Sequence, residues 1–346
     1  MKVAKRSVFE CGGVHVPVGG RAVIELDLPG LNSHNRLKMP VHVVHGRSDG
    51  PRLFVTAAIH GDELNGVEIA RRLLQSRSLA RLRGTLVVVP VVNVYGLVQQ
   101  SRYLPDRRDL NRCFPGAADG SLAARVAHLL MQEVVARCTH GIDLHTAAVN
   151  RTNLPQVRAH LSDPETVDLA RAFGAPVVLE SAHRDGSLRE AAAEAGLRTL
   201  LYEAGEGLRF DELAIRAGLG GILNVMRRLG MLTGRPTRVV PPFVARASMW
   251  VRAPESGLIC SKVRTGMRVR RGDRMGRISD PYSGAGTDVI APVSGLVIGR
   301  VQLPLVYAGE ACFHIARATG DDDLDEVADR VEVFQQEMSD VTPPVL

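Results

Sequence analysis

Residues 53–59 read LFVTAAI, and His60-Gly61-Asp62-Glu63 follows at once. Seven mostly apolar residues, with Val55, Thr56 and Ile59 branched at Cβ, suit a strand covered on both faces. A second run of this kind, LVVVPVV, occupies 86–92. Between them Leu64, Val67, Ala70 and Leu74 recur at helical spacing, which predicts a helix over 64–74 with one apolar stripe.

The alternation continues downstream. Helices are expected from Leu122 to Cys138, after Pro164, at Leu188–Ala195 and from Glu212 to Leu229; strands are expected through Ile142-Asp143-Leu144, at Val177–Leu179 and at Thr199–Tyr202. Strands alternating with helices give an α/β fold, a mostly parallel or mixed sheet flanked by helices, over residues 1–240. The character changes after the Gly- and Pro-containing stretch Thr233–Pro242. From Ala247 to Ala316 short apolar runs are separated by glycine turns with no helical period, which predicts a smaller all-β, barrel-like domain over 241–318. An internal echo, APESGLI at 253–259 and APVSGLV at 291–297, suggests two related hairpin sets. The segment resembles the biotinyl and lipoyl carrier domains, but the corresponding turn, Asp280 to Asp288, has no lysine to carry a group. Residues 319–346 form an acidic tail, of which 321–338 reads either as an amphipathic helix or as a disordered segment.

Of 346 residues, 45% are hydrophobic and 23% charged, close to the average for folded soluble proteins. The net charge of +6 divides unevenly: the tail 321–346 carries nine acids against Arg330, leaving +14 on residues 1–320. The arginines are dispersed and only five tyrosines and one tryptophan are available for base stacking, so a nucleic-acid partner is not expected. The most apolar run, Leu86 to Val98, is too short to span a bilayer, and no signal-like segment follows the basic start. A cytoplasmic location and no membrane partner are therefore expected, and a homo-oligomer is compatible. Five scattered cysteines without a C-x-x-C pair indicate neither a disulfide framework nor a thiolate metal site.

No G-x-S-x-G elbow is present, and Gly218-Leu219-Gly220-Gly221 lacks a P-loop lysine. The stronger signal lies where the 53–59 strand gives way to a helix, since ligands of open α/β sheets bind at the carboxyl ends of the strands. Gly61 permits a tight turn between His60 and Glu63. His145, at the end of the next predicted strand, can reach the same edge. Two imidazoles and one carboxylate are the usual ligands of a catalytic zinc, with one position left open.

Further pieces are A-x-I-H-G-D-E at 57–63, P-V-V-N at 90–93, S-R-Y-L-P-D-R-R-D-L-N-R at 101–112, I-D-L-H at 142–145 and Y-E-A-G at 202–205. In this order they resemble the succinylglutamate desuccinylase and aspartoacylase family, itself similar to zinc carboxypeptidases. The resemblance implies one zinc on His60, Glu63 and His145, with Asp109 orienting His60. It implies that Asn111 and Arg112 hold a substrate carboxylate, that Arg102 stabilises an oxyanion, with Arg107 and Arg108 as rivals, and that Glu203 is the general base and then acid. Tyr307 and Phe313 are the two positions at which the β domain could add an aromatic side chain. The activity implied is zinc-dependent removal of an acetyl, succinyl or similar acyl group from a small carboxylate-bearing N-acyl amino acid. A carboxypeptidase acting on small peptides and a non-catalytic metal or ligand-binding protein are the alternatives; a base beside the metal speaks against the latter.

Overall fold

The computed structural model describes residues 6–32, 36–236, 241–319 and 323–339. At its centre four strands run parallel side by side, in the order Arg198–Glu206, His140–Ala147, Ser48–Ala57 and Arg83–Val89. Leu53, Val55 and Ala57 enter one core while Phe54 enters the other, so alternation along one strand feeds both faces of the sheet. The first core is closed by helices Asn65–Gln75, Pro164–Phe173 and Glu212–Arg228, the second by Leu122–Glu133 and Leu188–Glu194. Their starts follow local chemistry: Ser121, Asp163, Ser187 and Asp211 each accept a backbone N–H with the side chain.

Antiparallel strands extend both sides of this parallel centre. Lys38–His45 and Arg21–Asp27 lie beyond Arg83–Val89. On the other side Arg151–Ala159 pairs with Arg198–Glu206, and the sheet then continues through Gly295–Val301, Ala311–Arg317 and Ser248–Arg252. The sheet is thus mixed, and it runs without a break from the α/β part into the C-terminal strands. Gly257–Cys260, Arg274–Ser279, Gly286–Ile290 and Leu305–Val306 form a separate four-stranded sheet, and a third core fills the space between it and the continued sheet. The two echoed segments fall one in each sheet, at Gly257–Cys260 and Gly295–Val301. The expected linker falls partly on residues 237–240, outside the described residues.

The acidic tail forms the helix Leu324–Ser339. Phe334 joins the core beneath Glu212–Arg228, whereas Val327 and Val331 join the cluster containing Leu296 and Ile298. Asp325 pairs with Arg268 and Arg270, which ties the start of the helix to the basic body. Asp321, Asp322 and Asp340 lie outside the described residues. Among the described residues no helix is long and apolar enough to cross a membrane, and all five cysteines are free.

Burial of Phe334 ties the last helix to the main core. Phe334→Ala should lower unfolding stability by about 3 kcal/mol, the low end of the range for truncating a buried aromatic. An unchanged denaturation midpoint would mean that the helix is not docked.

Candidate metal centre and active site

The loop after Ser48–Ala57 turns on Ala58, whose φ is +48°, and brings His60 and Glu63 over the ends of the parallel strands. Gly61 is needed for a reason other than the turn: a Cβ there would lie 2.0 Å from the Gly96 carbonyl carbon and 2.2 Å from the Leu97 nitrogen, and its φ is not positive. Close approach of a second backbone segment, rather than conformational freedom, excludes a side chain. His145 projects from His140–Ala147, and Glu203 stands beside it, in register on the adjacent strand.

His60, Glu63 and His145 are all buried, and one ligand atom from each lies within 4.8 Å of the others. The Glu63 carboxylate is caught between the rings, with Oε1 2.6 Å from His60 Nδ1 and Oε2 2.8 Å from His145 Nδ1. The Thr146 N–H donates to Oε2 as well. Each ring is held from its far side by another carboxylate: His60 Nε2 lies 3.1 Å from Asp109 Oδ1, and His145 Nε2 lies 2.7 Å from Asp143 Oδ2. Asp143 is fixed in turn by the Thr56 hydroxyl at 2.7 Å.

Burial works against charge on both imidazoles, but the carboxylates outweigh it. The pKa of His60 is raised by the Glu63 charge and by hydrogen bonds to Asp109 and Glu63. That of His145 is raised well above the ordinary value by Asp143 and Glu63. Burial opposes ionisation of Glu63 and Asp109 too, yet the neighbouring rings, joined by Arg102 at Asp109, lower both. A divalent ion held at the two Nδ1 atoms would leave Asp109 and Asp143 to accept from the Nε2 N–H groups and fix the tautomer. The donor set fits such an ion.

Arg102 lies against this cluster. Its Nε and Nη2 donate to Asp109 Oδ2, and its Nη1 is 3.5 Å from Glu63 Oε1. Arg107 and Arg108 are exposed, and neither lines the pocket. Asn111 and Arg112 do line it. Asn111 is buried, its Oδ1 accepting the Leu188 N–H at the start of a helix, while Arg112 is exposed. Tyr307 is exposed and Phe313 sits inside the C-terminal core, so neither faces the pocket.

Three arginines absent from the sequence-based set complete the wall: Arg158, Arg184 and Arg189. Arg158 forms an ion pair with Glu203, Nη2 to Oε2 at 2.5 Å. Arg189 is 5% exposed, with Nη2 bound to Ser181 Oγ and Ala182 O and Nη1 without a partner. Burial, followed by repulsion from Arg158 and Arg184, brings its pKa down to about 10. Asp143 was also missed, although I-D-L-H carried the signal: residues two apart on a strand share a face, so a carboxylate two before a ligand histidine can reach its ring.

Removal of the Asp143 carboxylate by D143A should weaken divalent-metal binding roughly 10–100-fold. Competition with a chromophoric chelator measures this, and an unchanged affinity would separate Asp143 from the centre.

Residues 49–229 match the succinylglutamate desuccinylase/aspartoacylase catalytic domain. The N-α-acetyl-L-2,4-diaminobutyric acid deacetylase of Halomonas elongata is 27% identical over 254 residues, covering 70% of this chain and 74% of that protein. Among solved structures, a succinylglutamate desuccinylase/aspartoacylase from Rhodobacter sphaeroides superposes with a TM-score of 0.78 at 26% identity, covering 86% of this chain and 96% of the other. The product-bound ectoine utilization protein EutE of Ruegeria pomeroyi does so with 0.78 at 25% identity, covering 86% and 95%. The fold, the ordered motifs and a match across more than half its length lead to one conclusion: the chain belongs to the succinylglutamate desuccinylase/aspartoacylase family, a family of N-acyl amino acid deacylases.

Proposed function

We propose that this protein is a zinc-dependent amidohydrolase that removes an acetyl, succinyl or similar acyl group from a small carboxylate-bearing amino acid. What carries this function is the convergence of the His60, Glu63 and His145 ligand atoms beside Glu203, in one pocket. Two imidazoles and a carboxylate suit one zinc per chain. When bound, zinc supplies Lewis-acid polarisation of the amide carbonyl and lowers the pKa of water at the site.

Glu203 takes the proton released as water adds to the amide carbon and passes it to the leaving amine. Arg102, next to the ligand set, stabilises negative charge developing on the carbonyl oxygen. Asp109 has two tasks, holding His60 and fixing the Arg102 guanidinium. Arg112 and Asn111 hold the substrate carboxylate; with Asn111 Oδ1 committed to Leu188, its amide nitrogen is the group left for a ligand. The deacetylase from Halomonas elongata, named for a small N-acetyl amino acid, supports a substrate of this size.

Purified protein should contain about one zinc per chain, and His60→Ala or His145→Ala should abolish both metal and activity. Glu203→Gln should retain zinc yet lose ~10²–10⁴-fold in turnover, because an amide cannot accept the proton. Suitable substrates are N-α-acetyl-L-2,4-diaminobutyrate, N-acetyl-L-aspartate and N-succinyl-L-glutamate. Near-parental turnover by the Glu203 variant would remove the assigned base and favour a non-catalytic metal protein.

A further inference from the structure

Arg158 lies on Arg151–Ala159, antiparallel to Arg198–Glu206 and directly opposite Leu201. Leu201 and Glu203 are two apart on their strand and so share a face, which lets the Arg158 guanidinium reach along the strand to the carboxylate. The two side chains, 16% and 15% exposed, meet at 2.5 Å between Nη2 and Oε2, a close charge contact without hydrogen-bond alignment. Among the described residues no hydrogen bond is made to either carboxylate oxygen, so this charge contact is what holds Glu203. An unheld glutamate has three rotatable bonds, and a misplacement of ~1 Å in a reacting group costs on the order of 10²-fold in rate.

Arg158 is itself confined. Arg184 and Arg189 line the same pocket and surround it with positive charge. On the side of the C-terminal strands stands His314, 4% exposed and stacked on Trp250 at a centroid distance of 4.1 Å. Burial, and then the charges of Arg158 and Arg184, hold the His314 pKa down to about 3, so this neighbour is neutral and adds no repulsion. Glu203 is the pocket carboxylate with which Arg158 pairs.

We propose that Arg158 is a positioning residue for the reaction, fixing Glu203 by its Oε2 so that Oε1 is presented to the proton it must carry. This rests on Glu203 being the base. The guanidinium acts through Glu203 and does not bind substrate.

The test uses the zinc-loaded enzyme and the fastest-cleaved of the three N-acyl amino acids named above. Arg158→Gln should lower kcat roughly 10²-fold with KM little changed. Arg158→Lys should recover part of that loss, and added guanidinium ion should partly rescue Arg158→Ala. Combined with Glu203→Gln, Arg158→Gln should bring no further loss, because a residue acting only through Glu203 has nothing left to position. Unchanged zinc content and thermal midpoint separate this from misfolding. A tenfold rise in KM at constant kcat would make Arg158 a substrate-binding residue and overturn the proposal. Multiplying losses in the double variant would overturn it too, as would parental kinetics of Arg158→Gln. Near-parental turnover of Glu203→Gln alone would instead remove the assignment of the base, a distinguishable failure.

Discussion

A carboxylate with 2% of its side chain exposed sits between two imidazoles, and the rest of the site is arranged around it. An ionised Glu63 could not be buried there alone, since desolvation costs far more than one hydrogen bond returns. The His60 and His145 rings hold it from either side, and Asp109 and Asp143 hold the far nitrogen of each ring. Removing any one member leaves a buried charge unpaired.

The sheet provides the rigidity this requires. His145, Glu203 and Arg158 come from three neighbouring strands whose register is set by backbone pairing, so their separations are fixed by the ladder. His60 and Glu63 enter from the end of a fourth strand, packed under the Gly96–Leu97 backbone. Because Arg151–Ala159 pairs with Arg198–Glu206 through one half and with Gly295–Val301 through the other, the C-terminal strands are built onto the strand that carries Arg158. That continuity brings His314 and Trp250 close to the arginines.

Periodicity made the α/β core legible: the runs at 53–59, 86–92 and 142–144 fall on three central strands, although the first two strands end at Ala57 and Val89, before the ends of their runs. The expected helix from Leu122 to Cys138 stopped at Glu133, with a short 3-10 turn at Val135–Arg137. His60, Glu63 and His145 were legible because strand-end position and residue chemistry agreed, whereas Asp109 and Arg102 were named only through the family resemblance, since the loop 101–112 offers several arginines and acids. Arg158, Arg184 and Arg189 were not. Nothing in the sequence around Arg158 distinguishes it from a solvated arginine, and its ion pair with Glu203 depends on an antiparallel pairing across more than 40 residues. The continuity of the sheet was hidden for the same reason: strand partners far apart in sequence leave no local pattern.

The most direct test is calorimetric titration of metal-free protein with zinc at pH 7 in buffers of different ionisation enthalpy. Raised histidine pKa values mean that protons compete with the ion for these rings, so one zinc per chain should bind with release of protons, and with affinity falling as pH is lowered. His60→Ala and His145→Ala should abolish the binding. Binding without proton release, or retained at full strength in both variants, would contradict a centre built on these two rings and the carboxylate between them.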